Sequence, residues 1–132
     1  MLRRLSVAYF AGAVAGLVVA LAVWIAGRAE LTLLIGVDIA PSLSWEWLRE
    51  RILWGSLWGL GYPVVSRRGF TTVRTGLVLS LFPTTLELLY SLPEGGAGLL
   101  GLEHGALTPI FVLVKNGLWG FLVARVMTRL VA

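Results

Sequence analysis

Two ionisable residues stand inside otherwise apolar runs: Glu87 in the run at 73–92, and Lys115, followed by Asn116, in the run at 108–130. A charge in hydrocarbon must find a partner or reach water, so an intramembrane acid and base read by default as functional. Glu87 lies five residues from the outer end of its run and Lys115 seven from the outer end of the next. At ~1.5 Å per residue their depths agree closely. An internal repeat, described below, brings Glu50 opposite Lys115 and Arg51 opposite Asn116. Glu50, Arg51, Glu87, Lys115 and Asn116 are therefore expected to form one roughly neutral polar cluster in the outer part of the membrane. Three roles fit it: a structural salt-bridge lock, a transport or gating site, or charges that snorkel to the interface. A Schiff-base lysine at Lys115 is a further chemistry open to this residue type.

Little else in the chain can do chemistry. Cysteine is absent, which removes disulfides, thiol catalysis and thiolate metal sites. The one histidine, His104, suits an axial ligand for a haem or chlorophyll, or a plain polar loop residue. Asp38 and Glu103 can share a cation or simply be solvated. No phosphate loop, nucleophile–base set or metal-ligand spacing is present. The expectation is a non-enzyme with no catalytic residue, no metal and no cofactor. Trp47, Arg51, Trp54 and Trp58 fall on one helical stripe. This stripe reads as an aromatic belt with Arg51 stacked on Trp47 or Trp54. It also leaves room for a bound lipid, quinone or pigment.

These residues need helices to hold them. The 132 residues are 58% apolar and 14% charged, with a mean hydropathy of +0.87. A soluble domain is nearer half apolar and a quarter charged. The balance excludes an ordinary soluble domain, a disordered tail and a nucleic-acid-binding arm. The fold class expected is all-α integral membrane, one domain over 1–132 with helices at about 5–27, 44–65, 73–92 and 108–130. The first follows Arg3 and Arg4 as a signal peptide would, but its uncharged run of 23 residues exceeds the ~7–15 of a signal's apolar region. It is read as a retained span. The second has an apolar run of only 14 residues, 52–65, and must reach back through Glu46, Arg49, Glu50 and Arg51. Pro41 or Ser44 would start it. Pro83 should kink the third helix, with Ser80, Thr84 and Thr85 satisfying the freed backbone, and Thr71 or Thr72 as its N-cap.

Charge sets the expected orientation. One side holds Arg3, Arg4, Arg67, Arg68, Arg74, Arg125 and Arg129 and no acid. The other holds Arg28, Arg49 and Arg51 together with Glu30, Asp38, Glu46, Glu50, Glu94 and Glu103. The bias puts both termini in the cytoplasm.

A shift of 65 residues lays the chain on itself. Leu34, Gly36, Leu48, Leu53, Trp54, Gly55 and Leu57 meet identical residues, seven in the 24 positions 34–57. Halves 1–66 and 67–132 then read as two parallel hairpins related by an axis along the membrane normal. The apolar segment 31–40 and its Gly-rich counterpart 95–105 are too short to span. Small residues recur at every fourth position, Ala8, Gly12, Gly16 and Ala20, with Gly55 and Gly59 on the second helix and Gly120 on the fourth. Such ridges let backbones approach closely, within one chain or between two.

The stretch Trp58-Gly59-Leu60-Gly61-Tyr62-Pro63-Val64-Val65 through to Leu118-Trp119-Gly120 resembles the small inner-membrane proteins of the YagU type. These share a four-helix layout and a Gly-Tyr-x-Val-Val end to the second helix. The similarity covers about half the chain, includes no catalytic motif, and departs in the much shorter outer loops here. It implies a multi-pass location in a bacterial inner membrane. The functional expectation is an accessory, scaffold or assembly subunit whose partners are the lipid bilayer, other membrane subunits or itself. The alternative is a small oligomeric transporter or channel using the Glu/Lys cluster.

Overall fold

Small side chains decide how this molecule packs. Helix α1 (Leu2–Arg28) buries Ala8, Ala11, Gly12, Ala15, Gly16 and Ala20 on one face. The computed structural model describes residues 1–131, all helix, turn and loop, with no strand among them. After α1 come a single turn, α2 (Leu31–Leu34), then α3 (Trp45–Gly59) and α4 (Tyr62–Val65). A third helix follows in three parts: α5 (Thr72–Leu86), a π-helical turn (Glu87–Ser91) and α6 (Leu92–Glu94). A 3₁₀ segment (Leu99–His104) leads into α7 (Thr108–Leu130). Three helices are long and apolar enough to cross a membrane: Leu2–Arg28, Thr72–Glu94 and Thr108–Leu130.

The second expected span, 44–65, is divided. Ser44 caps α3 by accepting from the Trp47 N–H at 3.2 Å, while Pro41 stays outside the helix. Near Gly59 the bonds tighten, Leu60 N–H to Leu57 O and Gly61 N–H to Trp58 O. Pro63, which has no N–H to give, opens α4. Thr71 caps α5 by accepting from Arg74 N–H at 3.1 Å. Pro83 does not end that helix. The ladder stays α-helical through Leu86 and then widens, with Leu92 N–H reaching Glu87 O. Of the side chains expected to take up freed backbone, Ser80 and Thr85 donate to Leu77 O and Leu81 O.

Helix α1 crosses α3 at Gly12 and Gly55, where a Cβ on either glycine would run into the other's carbonyl. Gly16 lies against the Arg51 and Ile52 backbone, and Gly59 against Ala8 and Gly12. Helix α5 crosses α7 in the same way, Gly76 on Gly120. The small-residue ridges are thus used for packing within the chain. Between the two crossings α1 lies along α7. The indole of Trp119 donates to Gly12 O at 3.3 Å, and Val19, Val123, Ala124 and Met127 fill the core. At one end Arg3 donates to Leu130 O at 3.1 Å, so the two ends of the chain lie together. Helix α4 closes this same end, with Tyr62 and Val65 in the core.

The helices are therefore ordered α3, α1, α7, α5, and the expected four-helix bundle stays open along one seam. Helices α3 and α5 touch only sparsely. The cause is side-chain size: α1 offers Gly and Ala to its neighbours, whereas the α3 face toward α5 carries Trp47, Arg51, Trp54 and Trp58.

At the far end, Gly36 (φ +74°) ends α2 with a Schellman pair, Gly36 N–H to Leu33 O and Val37 N–H to Thr32 O. Gly96 (φ +84°) makes the same pair, to Pro93 O and with Ala97 N–H to Leu92 O. Gly101, which the 65-residue shift sets opposite Gly36, lies instead in the 3₁₀ segment behind a left-handed Leu100. The two connections are joined by Asp38 N–H donating to His104 O at 2.7 Å.

Candidate functional site

The open seam is a cleft of about 850 Å³. Its floor is α1, through Gly16, Val19, Ala20 and Val23, and α7, through Lys115, Asn116 and Trp119. One wall is the aromatic stripe of α3. The other is Pro83, Leu86 and the π-helical turn, with Glu87, Tyr90 and Ser91. Residues Asp38 to Pro41 and His104 close the end away from Arg3 and Leu130.

Glu87 caps α5, three residues after Thr84, and the π-helical turn begins at it; such bulges are frequent at functional sites. The Lys115 ammonium is 2.8 Å from both Glu87 carboxylate oxygens. Asn116 donates through Nδ2 to Glu87 Oε2 at 3.0 Å and to Thr84 Oγ1 at 3.2 Å. The Asn116 carbonyl oxygen accepts from Lys115 at 3.4 Å. Thr84 and Asn116 are buried, while Glu87 and Lys115 keep 22% and 19% of their side chains exposed. The network is an ion pair anchored on its buried side by Asn116 and Thr84, with its exposed side in the cleft. Pairing lowers the cost of both charges, and the residual exposure leaves them within reach of a ligand.

The five residues of the expected cluster all line this cleft, but they are not one ion-pair network. Glu87, Lys115 and Asn116 are bonded together. Glu50 and Arg51 stand across the cleft, exposed, and Lys115 pairs with Glu87 rather than with Glu50. Arg51 lies over the Trp47 ring, its guanidinium carbon 5.6 Å from the ring centre. Asp38 and His104 line the closed end of the cleft, while Glu103 is exposed and lies against Gly98. Among the described residues no group of three or more acids or histidines is gathered to hold a metal.

Two contributors were not expected from sequence. Trp119, which the 65-residue shift sets opposite Trp54, is buried and ties α7 to α1. Trp54 is 53% exposed and faces the cleft. Periodicity alone could not separate them, because both sit on apolar helices beside glycine. The π-helical turn had one sequence signal, Pro83 four residues before Glu87. Comparison of the chain with family models, with curated proteins and with solved structures gives no match.

Proposed function

We propose that this chain is a four-span protein of a bacterial inner membrane, built from two repeated hairpins with both termini in the cytoplasm. We propose further that it serves as a non-enzymatic accessory or scaffold subunit, holding a hydrophobic partner in the cleft between α3 and α5. Charge supports the topology. The end where Arg3 meets Leu130 carries Arg4, Arg67, Arg68, Arg74, Arg125 and Arg129, and the acids gather at the other end. Helix α3 with α4, residues 45–65, supplies the remaining span, at ~1.5 Å per residue about 30 Å if nearly straight.

The paired crossings support the repeat. Gly55 and Gly120 are 65 residues apart, and Gly12 and Gly76 are 64. In the outer connections the matching turn glycines, Gly36 and Gly96, are 60 apart, so the repeat carries a register shift there. Under this repeat the α1–α7 seam corresponds to the α3–α5 seam. One is filled by Trp119 and the other is open.

That open seam carries the functional reading. It exposes Trp54 and a polar network in a groove that a soluble ligand would have to reach through lipid or past the Asp38–His104 closure. A photoreactive residue at position 54 should crosslink a specific partner, protein or lipid. The same group at Val114, which is 66% exposed outside the cleft, should give only bulk lipid. Identical products at both positions would refute the reading. The transporter reading has one observation in its favour: the Glu87–Lys115 pair opens into the cleft instead of being sealed in the core. On that reading the protein in liposomes carries a flux that Glu87→Gln abolishes while the fold survives.

A further inference from the structure

We infer that the cleft is a binding site for one aminophospholipid, with its phosphate on Arg51, its ammonium facing Glu50 and Asp38, and an acyl chain along the floor. This rests on the proposed membrane placement and names the occupant of the proposed partner site.

Size comes first. Sites for small molecules and cofactors run about 300–1,000 Å³, and this cleft holds about 850 Å³. A cleft of this size takes a headgroup and the first part of an acyl chain.

The lining has two characters. Toward the Gly12–Gly55 crossing it is aromatic, with Trp54, Trp58 and Trp119. Level with Gly16 and beyond, it carries Arg51 and Glu50 and, at the closure, Asp38, over an apolar floor of Val19, Ala20 and Val23. An amphiphile matches that gradient. Charge then selects the headgroup. Lys115 and Glu87 already neutralise each other at 2.8 Å. What remains on the walls is Arg51, Glu50 and Asp38, which form no ion pair among the described residues. Arg51 is held above Trp47, so its planar donors are presented rather than free to wander. A guanidinium in that position binds phosphate as a fork. A purely anionic headgroup would leave Glu50 and Asp38 facing negative charge. A headgroup with both phosphate and a primary ammonium answers all three, and a quaternary ammonium lacks the N–H donors to bond carboxylates.

Native mass spectrometry of the purified chain tests this, with phosphatidylethanolamine, phosphatidylglycerol or phosphatidylcholine of identical acyl chains added in turn. One phosphatidylethanolamine should be retained in preference to the other two. Arg51→Gln should weaken its retention about tenfold, the usual scale for losing a hydrogen-bonded charge, and Arg51→Lys should weaken it less. Combining Glu50→Gln with Asp38→Asn should bring phosphatidylethanolamine and phosphatidylglycerol to parity. Ser91→Trp, at an exposed position on the rim, should block all three lipids without touching the charges. Equal retention of the three lipids by the unaltered chain, or retention indifferent to both Arg51→Gln and Ser91→Trp, overturns the inference. A protein crosslinked at position 54 with no lipid retained would also overturn it while leaving the scaffold reading intact. No specific crosslink of either kind would remove both.

Discussion

Removing Lys115 should destabilise the protein, and removing its partner as well should add little. The Lys115 ammonium is 2.8 Å from each Glu87 oxygen, and about four-fifths of each side chain is buried. Breaking a fully buried pair costs about 3–5 kcal/mol, whereas an exposed pair is worth about 0–1 kcal/mol. Partial exposure and the remaining Asn116 bond at 3.0 Å place Lys115→Met between these limits, at about 2 kcal/mol. Glu87→Gln strands the ammonium, with Asn116 Oδ1 at 3.4 Å as its remaining partner, and should cost a similar amount. The double variant leaves no stranded charge and should cost no more than either single change, a coupling of about 2 kcal/mol. The measurement is an SDS titration in mixed micelles followed by tryptophan fluorescence, for the unaltered chain, both single variants and the double. The same cycle with Glu50→Gln should be additive, because Glu50 stands across the cleft from Lys115. Additive losses for Lys115→Met and Glu87→Gln would show that the pair is not a coupled unit and would refute the reasoning.

Gly12→Ala should cost about 1–3 kcal/mol as an overpacking change, because its Cβ meets the Gly55 carbonyl, which belongs to backbone and cannot step aside; an unchanged midpoint in the same titration would contradict the crossing. Gly36→Ala meets nothing within 4 Å and should still cost about 1–2 kcal/mol, since its φ of +74° is left-handed. Trp119→Phe keeps an aromatic ring but removes the N–H that bonds Gly12 O and part of a buried side chain, so at least about 1 kcal/mol should be lost, with α1–α7 crosslinking efficiency reporting the loosened seam. A reporter fused after residue 131 should be active on the cytoplasmic side alone, and activity on the opposite side would reverse the proposed orientation.

What the sequence made legible follows the strength of each physical constraint. Charge in hydrocarbon is a strong constraint, and depth counting placed Glu87 level with Lys115. Close backbone approach is another: Gly12, Gly16, Gly55, Gly59 and Gly120 all sit at helix crossings because nothing larger fits. Caps were readable from Ser44 and Thr71, whose side chains compete for free N–H groups. Which acid faces Lys115 across space was less legible. The 65-residue shift pointed to Glu50 and depth to Glu87, and the structure pairs Lys115 with Glu87, which follows Thr84 by three residues on the α5 face packed against α7. The open seam was not legible at all. Hydropathy treats Trp54 and Trp119 alike, and the difference between them lies in whether a neighbouring helix offers a small-residue face.

That difference explains why one chain holds both a closed seam and an open one. Helix α1 buries glycine and alanine, so α3 and α7 both approach it closely and Trp119 can reach the Gly12 carbonyl. Helix α5 spends its small residues, Gly76, Ser80 and Thr84, entirely on α7. Toward α3 it presents Pro83, Leu86, Glu87 and Tyr90, against the tryptophans and arginine of α3. Two faces of large side chains cannot interlock at glycine distance, so they stand apart. The space they leave is where the charged network meets the apolar floor. On the proposed placement it is also where lipid can enter from the side. The cleft is thus a direct result of where the glycines are, and placing small residues on the facing sides of α3 and α5 is the change that would close it.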